Sequence, residues 1–502
     1  MSEPKSSPEP AQELRMAALL AVGLTFARVA ALFRSPLELY PDEAQYWLWS
    51  RTLDFGYYSK PPMIAWAIRA TTALGGDSEG WVRLSAALFQ GGATFVVYLI
   101  GRRLYGGAVG LAAAALYALM PGVQLSALVA ATDAPLLFFL GLAILAYVAL
   151  PDLQGRLRLL TAAGLGAALG LAFLSKYAAV YFLVGVAIHL AVSSRARGAW
   201  SPASILAAAA AFAVVVAPNL AWNASHDFAT LHHTAANAAW SGVRLFNLSA
   251  LGAFVGSQFG VFGPIPLGVL TLGVGLAVVR RRLPPADLTL LCFTLPPLAI
   301  VTAQAFISRA NANWSGAAYL PGAVLAAAWL VRWRARRWLI AAIALQAAVA
   351  LVVLAVVLQP AFGDRIGLAN GLKRARGWAE TARIVLDRAE REPGLTAIAV
   401  NNRFLFYATA YYGRDRLTEA APLTSWLLMG EPRNQAETAA PLTAALGGRV
   451  LMVSYEGWRR AEMQADFQRA SGLEIDSVWL DRHHRRRLEM FVGEGFAPRP
   501  RP

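Results

Sequence analysis

The chain has 502 residues, of which 57% are hydrophobic and only 15% charged, and its formal net charge is +15. Soluble globular proteins carry about 25% charged residues, so this composition excludes a water-soluble globular chain. Lysine and arginine fall in short clusters between apolar segments, whereas nucleic-acid-binding proteins concentrate them on one face or in one tail. We therefore expect a polytopic α-helical membrane protein that binds membrane lipids and no nucleic acid.

The two features that most often reveal a compartment give little information here. The single cysteine, Cys292, lies in an apolar segment and can form neither an intrachain disulfide nor a cysteine-based zinc site. Residues 1–13 are polar and rich in proline and serine, without a clear cleavage site after the first apolar run. They are predicted to be a cytoplasmic tail before a retained first span.

Eleven apolar segments are predicted to be transmembrane helices, since several exceed the 18 residues at which a spanning helix is the default interpretation. In chain order they cover residues 14–33, 83–101, 108–122, 133–150, 158–174, 177–193, 203–222, 250–279, 287–306, 316–332 and 338–358. The eighth contains GVFGPIPLG. Its two prolines predict a break or kink, because proline removes a helix hydrogen-bond donor.

The loops between these segments alternate in charge. Arginine clusters occur in every second loop, at Arg102-Arg103, Arg156 with Arg158, Arg195 with Arg197, Arg280 to Arg282, and Arg332 through Arg337. Cytoplasmic loops are rich in lysine and arginine, so these loops are predicted to be cytoplasmic and the others to lie outside. The predicted location is the bacterial inner membrane, with the chain after residue 359 facing the periplasm.

The chain changes character after about residue 363, where charges become frequent. RARGWAETARIVLDRAE predicts an amphipathic helix and LTAIAV a strand, and RVLMVSYEGWRRAEMQADF predicts a strand followed by a helix. DSVWLDRHHRRRLEMFVGEGF predicts two strands around a basic turn. We predict a membrane domain over residues 14–359, with a first periplasmic loop at 34–82, and a periplasmic α/β domain over 360–502.

The first outer loop begins with two adjacent carboxylates, Asp42 and Glu43, in LYPDEAQYWLW. Asp42 follows a proline and has Gln45 three residues later, which is typical of a helix N-cap with a capping-box partner. A capping carboxylate can also be catalytic, so both interpretations stay open. Glu43 points about 100° away around the helix and need not share the same site.

Lys60 and several tyrosines follow in the same loop. Lys60 precedes Pro61 and Pro62, and it either extends to lipid headgroups or provides a fixed cation for a phosphate. The aromatic residues around it, Tyr46, Tyr57 and Tyr58 among them, fit an interfacial belt or a wall on which a sugar stacks.

Three further ionisable residues lie at the ends of predicted spans on the same outer side. Asp133 either caps its helix or acts in a site, and Lys176 needs an anion such as Asp133 or a bound phosphate. Arg83 opens the second span. Two carboxylates with these cations suggest a reaction in which cations neutralise a phosphate leaving group and a carboxylate accepts a proton from an attacking hydroxyl.

The sequence shows no P-loop, dinucleotide fingerprint, nucleophile elbow or zinc-protease motif. ATP is absent outside the cytoplasm, so an activated substrate has to arrive in the membrane, and a lipid-linked phosphate is suitable. No cofactor is assigned. A divalent metal stays open, with His226 and His233 of HDFATLHH as weak candidate ligands that can equally be polar loop residues.

Several motifs, in order, resemble the bacterial branch of the dolichyl-phosphate-mannose–protein mannosyltransferase superfamily, which includes the aminoarabinose transferase of lipid A. They are YPDEAQYWLWSRTLDFGYYSKPPMIAW, VRLSAALF, TDAPLLFFLGLA, LSKYAAV and NANWSGAAYL. The resemblance covers most of residues 14–332. It implies a GT-C glycosyltransferase fold with juxtamembrane helices in the first loop. It also implies a polyprenyl-phosphate-sugar donor and inversion at the anomeric carbon.

The resemblance also implies roles for individual residues. Asp42 is the expected catalytic carboxylate, and Asp133 matches a second acidic position of the family and is expected to support it. Glu43 is expected to support the site because it adjoins Asp42, not because of the resemblance. Lys60, Arg83 and Lys176 match basic positions that are expected to contact the donor phosphate. Tyr46, Tyr57 and Tyr58 are expected to contact the substrate on the grounds of their residue type and place in the loop, not of the resemblance. Ser59 stands where the aminoarabinose transferase has a glutamate, which puts that enzyme's metal site, sugar and acceptor in doubt for this chain.

The preferred hypothesis is an inverting glycosyltransferase that uses a polyprenyl-phosphate-sugar donor. Its acceptor would be lipid A or another glycolipid, a polysaccharide or a protein on the periplasmic side. One alternative is a transporter or flippase of a lipid-linked sugar, which needs substrate groups near the bilayer midplane and, ideally, inverted repeats. The other is a non-catalytic envelope-assembly subunit, which leaves the charged cluster unexplained.

Overall fold

The computed structural model describes residues 10–237, 246–280, 283–427 and 432–500. Within these ranges a helical region extends to Leu358. Its helices are α1 Pro10–Leu32, α2 Pro41–Trp49, α3 Met63–Gly75, α4 Glu79–Tyr105, α5 Gly107–Leu119, α6 Pro121–Ser126, α7 Asp133–Ala149, α8 Gly155–Ser175, α9 Val180–Val192, α10 Ser194–Gly198, α11 Pro202–Ser225, α12 Ala229–Asn237, α13 Leu248–Val261, α14 Pro264–Arg280, α15 Pro285–Ile307, α16 Gly316–Arg332 and α17 Arg336–Leu358.

Fewer helices in the described part of the chain are long and apolar enough to cross a membrane than the eleven spans predicted from the sequence. Within the described ranges, eight helices are long and apolar enough to cross a membrane, or nine if α13 and α14 form one broken span. All eleven predicted segments coincide with helices, but α5 and α9 are apolar helices shorter than a normal span. The predicted break in the eighth segment is confirmed. Helices α13 and α14 meet at 113°, with Gly263 at a φ of 94° just before Pro264.

The region after Leu358 is a mixed α/β structure, as predicted. Its elements are α18 Pro360–Arg365, α19 Ala369–Leu372, α20 Trp378–Glu390, β1 Ala397–Val400, α21 Arg403–Tyr412, β2 Leu423–Ser425, α22 Gln435–Ala439, β3 Arg449–Ser454, α23 Arg460–Gln464, β4 Phe467–Ala470, β5 Glu474–Trp479 and β6 Arg485–Phe496. The strand order is β2-β1-β3-β6-β4, with β5 also paired to β6. Strands β1, β2 and β3 are parallel and β6 is antiparallel to its neighbours, which confirms the predicted β5–β6 hairpin around a basic turn.

The α/β region packs directly on the first outer loop through one continuous hydrophobic cluster. Trp47 and Trp49 of α2 share this cluster with Trp378 of α20 and Tyr411 of α21. The Trp47 and Tyr411 rings meet edge-on, with centroids 4.8 Å apart. Burial of aromatic rings of this size contributes strongly to such contacts. The packing holds the N-terminus of α21 against α2, and the candidate site lies at this junction.

The start of α2 differs from the capping arrangement predicted for Asp42. The N-cap residue is Tyr40, Pro41 is the first helical residue, and Glu43 Oε2 accepts the Tyr40 backbone N–H at 2.8 Å. Proline is favoured at this first position because its missing N–H would have no helical partner. Asp42 is therefore not the cap, and Glu43 takes the reciprocal role that was expected of Gln45. Asp133 is likewise the first residue of α7 rather than its N-cap, which is Thr132.

Helices α8 and α11 pack closely through glycines, which provides a test of the fold. A Cβ atom at Gly166 would lie 2.0 Å from the Ala208 carbonyl oxygen, whereas one at Gly164 would meet nothing within 4 Å. Gly166→Ala should therefore force the helices apart and lower stability by about 1–3 kcal/mol. Gly164→Ala gains the same helix propensity without the clash. Thermal unfolding in detergent measures both, and equal midpoints would contradict this packing.

Candidate active site

A cavity of about 1330 Å³ lies where the first outer loop, the start of α7 and the α/β region meet. One part of its lining is charged: Asp42, Glu43, Lys60, Arg83, Asp133, Lys176, Arg403 and Arg433. Another part is apolar and comes largely from α6, α17 and α19: Leu125, Leu128, Val349, Val353, Val356, Val357, Leu368 and Leu372. The cavity can therefore hold a ligand that has an anionic head and a hydrocarbon tail.

Asp42 forms an ion pair with an arginine of the α/β region. Asp42 Oδ1 lies 3.2 Å from Arg403 Nη1, and the same Nη1 donates to Gln45 Oε1 at 3.0 Å. Arg403 is the first residue of α21, after the N-cap Asn402, so the α2–α21 packing sets its position. The pair is half-exposed, and the contact orients the Asp42 carboxylate at the edge of the cavity.

Glu43 and Arg83, which both line the cavity, form a buried ion pair with each other. Arg83 Nε and Nη2 donate to the two Glu43 carboxylate oxygens at 2.9 and 2.7 Å, and only 1% of Glu43 and 4% of Arg83 is exposed. Arg83 also donates to the Leu37 and Glu38 carbonyl oxygens, and Glu43 accepts the Ala130 backbone N–H. These bonds use four of the five N–H groups of the Arg83 guanidinium and leave one on Nη1 for a further acceptor. The phosphate role predicted for it stays a prediction.

Asp133 and Lys176 pair with each other, which is one of the two partners the sequence left open for Lys176. Lys176 Nζ donates to Asp133 Oδ1 at 2.8 Å, and Asn313 Nδ2 donates to Asp133 Oδ2 at 2.9 Å. Both Asp133 oxygens are therefore engaged. The contact joins the starts of α7 and α9 to the loop before α16, and it places one lysine ammonium on the cavity wall.

Lys60 is the lysine available to a ligand. Among the described residues, no carboxylate lies within 4 Å of its ammonium and no acceptor is hydrogen-bonded to it. Burial lowers the pKa of Lys60, the charge of Lys176 lowers it further, and Asp42 and Asp133 oppose the shift. A bound anion would relieve this cost, because it would stabilise the charged form.

The three predicted tyrosines have different environments. Tyr46 and Tyr58 line the cavity, and the Tyr58 ring lies edge-on to His233 with centroids 5.6 Å apart. Tyr57 does not line it. Its ring stacks on Trp49 at 4.6 Å and its hydroxyl donates to the carbonyl oxygens of Trp49 and Thr52. The predicted substrate contact of Tyr57 is therefore not supported, since the ring and hydroxyl build the loop.

The candidate metal ligands do not form a metal site within the described ranges. No three His, Cys, Asp or Glu side chains of those residues are grouped so that they could hold an ion. His226 stacks on Trp222 with centroids 4.1 Å apart. Burial, together with the charges of Lys60 and Arg403, lowers the pKa of His233 to about 4, so its ring is neutral at physiological pH.

The sequence analysis missed several polar lining residues of this cavity, among them Asn313, Arg403 and Arg433. Asn313 belongs to the NANWSGAAYL motif, so its position in a recognised segment was an available signal. Arg403 and Arg433 belong to the α/β region, where arginine is common and no local pattern distinguishes these two. The tertiary packing alone brings them to Asp42 and Tyr58.

Comparison with known proteins gives consistent results. Residues 59–222 match the family described as dolichyl-phosphate-mannose-protein mannosyltransferase. The lipid A galacturonosyltransferase RgtD of Rhizobium johnstonii is 35% identical over 447 residues, covering 88% of this chain and 91% of that protein. ArnT from Cupriavidus metallidurans bound to undecaprenyl phosphate has a TM-score of 0.68 at 16% identity, covering 96% of this chain and 99% of that one. Its apo form scores 0.66 at 15% identity, with 96% and 98% covered, and both show the same overall fold.

The buried Glu43–Arg83 pair provides a second prediction. Removing one partner leaves a buried charge uncompensated, which costs about 3–5 kcal/mol, whereas removing both leaves none. Glu43→Gln and Arg83→Met should each lower the stability of the protein. The double variant should lose less stability than the two single losses added together. Thermal unfolding in detergent measures this coupling.

The exposed Glu380–Arg383 pair on α20 is the control, and it should show no measurable coupling. Additive losses for Glu43 and Arg83 would contradict the structural role. Donor binding by the double variant separates the two roles of Arg83. Retained affinity supports a positioning role, and lost affinity in a folded protein supports the predicted phosphate contact.

Proposed function

Since the chain belongs to the dolichyl-phosphate-mannose-protein mannosyltransferase family of GT-C glycosyltransferases, we propose that it transfers galacturonic acid from a polyprenyl-phosphate donor to lipid A. The observation that carries the donor class is the cavity. Asp42 and Lys60, which has no ion-pair partner among the described residues, line the same cavity as an apolar tract. The similarity to RgtD, whose name gives both sugar and acceptor, supports galacturonic acid and lipid A. The fold shared with ArnT bound to undecaprenyl phosphate supports a polyprenyl phosphate.

In this proposal, Lys60 and the Lys176–Asp133 pair bind the donor phosphate while the valines of α17 contact the prenyl chain. A sugar linked to polyprenyl phosphate is a phosphodiester with one negative charge. When the anomeric C–O bond to phosphate breaks, the leaving polyprenyl phosphate carries a second negative charge. A fixed cation stabilises this developing charge more than the ground state, which is the requirement for catalysis.

Asp42 acts as the general base in the same step. One of its oxygens, Oδ1, is held by Arg403, and Oδ2 has no recorded partner among the described residues, so Oδ2 can accept the proton of the acceptor hydroxyl. The acceptor oxygen then bonds to the anomeric carbon from the side opposite the phosphate. The sugar is transferred with inversion, and the proton leaves on Asp42. If the acceptor group is itself a phosphate, Asp42 orients it instead.

We place the active site and the α/β region in the periplasm and the protein in the bacterial inner membrane. The support is the alternation of arginine-rich loops, which the positive-inside rule assigns to the cytoplasm. The charged residues of the cavity lie in loops or near helix ends, as in Asp42 of α2 and Asp133 of α7. This arrangement favours an enzyme at the membrane surface over a transporter or flippase, and its paired and unpaired charges are unexplained in a non-catalytic assembly subunit.

The general-base role predicts a large effect of Asp42→Asn. Positioned proton transfer contributes about 10²–10⁴-fold to a rate, so transfer should fall by that factor while the protein stays folded. The measurement is transfer of labelled galacturonic acid from the polyprenyl-phosphate donor to lipid A in proteoliposomes. Asp415→Asn, the same change at an exposed position, is the control. Full activity of folded Asp42→Asn would exclude this mechanism.

Mass spectrometry of lipid A from cells that lack the protein tests the substrates separately. The proposal expects loss of one hexuronic acid residue from lipid A and its return on complementation. Loss of a different sugar would reject galacturonic acid, and loss from another glycolipid, a polysaccharide or a protein would reject lipid A.

The lowered pKa of Lys60 predicts a pH dependence of donor binding. The ammonium binds phosphate only when it is protonated, so affinity for polyprenyl phosphate should fall as pH rises through this lowered pKa. Lys60→Arg stays charged throughout and should retain affinity to higher pH, whereas Lys60→Gln should bind weakly at every pH. Binding titrations in detergent between about pH 7 and pH 10 measure this. Identical pH dependence of the wild type and Lys60→Arg would show that Lys60 does not contact the phosphate.

A further inference from the structure

Among the residues that the structure describes, the charges that line the cavity leave two cations without a carboxylate partner. All three lining carboxylates are paired: Glu43 with Arg83, Asp133 with Lys176, and Asp42 with Arg403. Within the described part of the chain, Lys60 and Arg433 have no carboxylate within 4 Å of their cationic groups. The low pKa of His233 keeps that ring uncharged. The lining therefore presents two positive charges to a ligand, one more than a phosphodiester neutralises.

Arg433 is held in place by the turn that precedes α22, and the acid beside it serves that turn. Glu437 Oε2 accepts the Arg433 backbone N–H at 2.7 Å, and Glu437 Oε1 accepts Asn434 Nδ2 at 2.7 Å. The Glu437 carboxylate thus shapes the backbone. It attracts the Arg433 guanidinium electrostatically but forms no ion pair with it within 4 Å. Gln435 Oε1 accepts the Tyr58 backbone N–H at 2.8 Å, which fastens the turn to the loop that carries Lys60.

Arg433 also lies at the junction of two cavities. A second cavity of about 890 Å³, lined by the 52–58 loop, α12 and the 432–438 segment, shares Tyr58, His233 and Arg433 with the main one. Lys60 therefore lines the main cavity alone, whereas Arg433 lies where the main cavity meets the second one.

We propose that Arg433 forms a subsite for the carboxylate of the transferred sugar and thereby selects a uronic acid donor. The inference rests on the proposed function and names the residue that would read the sugar. In a hexuronic acid the ring oxygen joins C1, the anomeric carbon that bears the phosphate, to C5, which bears the carboxylate. The carboxylate and the phosphate therefore project from the ring in different directions. Two separated cations match this pair of anions, and the guanidinium fork suits a carboxylate in particular.

A phosphate group on the acceptor is the competing ligand for Arg433. The sugar is favoured because Lys60 and Arg433 both line the main cavity, which is the one proposed to hold the donor. The experiment therefore varies donor and acceptor independently. The donor probes are polyprenyl-phosphate galacturonic acid and polyprenyl-phosphate galactose, which differ only in carboxylate against CH₂OH. The acceptor probes are lipid A with and without its phosphates.

The test compares the wild type with Arg433→Gln, Arg433→Lys and the control Arg469→Gln, whose side chain is 83% exposed on β4. The wild type and the control should prefer the galacturonic acid donor. Arg433→Gln should lose about ten-fold or more in kcat/KM for this donor and change little for galactose, because a charge-assisted hydrogen bond disappears. Arg433→Lys keeps the charge without the fork and should retain part of the preference.

Other outcomes overturn the proposal. Unchanged donor preference in Arg433→Gln, or an equal loss for both donors, shows that Arg433 does not read the carboxylate. If Arg433→Gln keeps the donor preference but responds less than the wild type to removal of the lipid A phosphates, Arg433 binds the acceptor and not the sugar. If Arg433→Gln does not fold, Arg433→Lys decides, since full preference for galacturonic acid without the fork contradicts a bidentate subsite. If the wild type does not transfer galacturonic acid, the proposed function itself is rejected. This result is read from the wild type alone and is therefore distinct from every outcome that concerns Arg433.

Discussion

The buried ion pair between Glu43 and Arg83 is the contact on which the geometry of the site depends. Its hydrogen bonds tie together the start of α2, the chain at Leu37 and Glu38, the body of α4 and the segment at Ala130. A buried charge has to be matched, so this joint permits little variation in the position of α2. Asp42 adjoins Glu43 on that helix, so the Glu43–Arg83 ion pair also fixes the position of Asp42 in the cavity.

The α/β region completes the site that the membrane helices begin. Its cluster with α2 and α3 brings the N-terminus of α21 to Asp42, and its turn before α22 reaches Tyr58. Arg403 and Arg433 come from these two places. A region that sequence reasoning treats as a separate periplasmic domain therefore contributes directly to the wall of the cavity, and removing it would leave Asp42 without its ion-pair partner.

The distribution of charge in the cavity distinguishes groups that hold the structure from groups that meet a ligand. Each of the three carboxylates pairs with one cation, which fixes its orientation and balances the charge of that cation, although the Lys176 ammonium keeps further N–H groups for a phosphate. Lys60 and Arg433 have no such partner among the described residues, so they are the groups whose charge an anionic ligand can neutralise. The apolar tract along α17 continues from this charged part, which suits a molecule whose phosphate is attached to a long hydrocarbon chain.

The helices, the broken eighth segment and the α/β class of the last region could be predicted from the sequence alone, and Asp42, Lys60, Asp133 and Lys176 could be named as candidate site residues. These follow from hydropathy, periodicity and proline chemistry, which act over a few residues, and from a resemblance carried by local motifs. Three other features became visible only in the packed structure: Glu43 rather than Gln45 pairs with the N-cap of α2, Arg83 is paired with Glu43, and Tyr57 packs in the loop. The packing also brought Arg403 to Gln45 across 358 positions of the chain. No local pattern encodes such a contact, because its partners meet only after the helices and the sheet have packed and the buried charges have found their counterions.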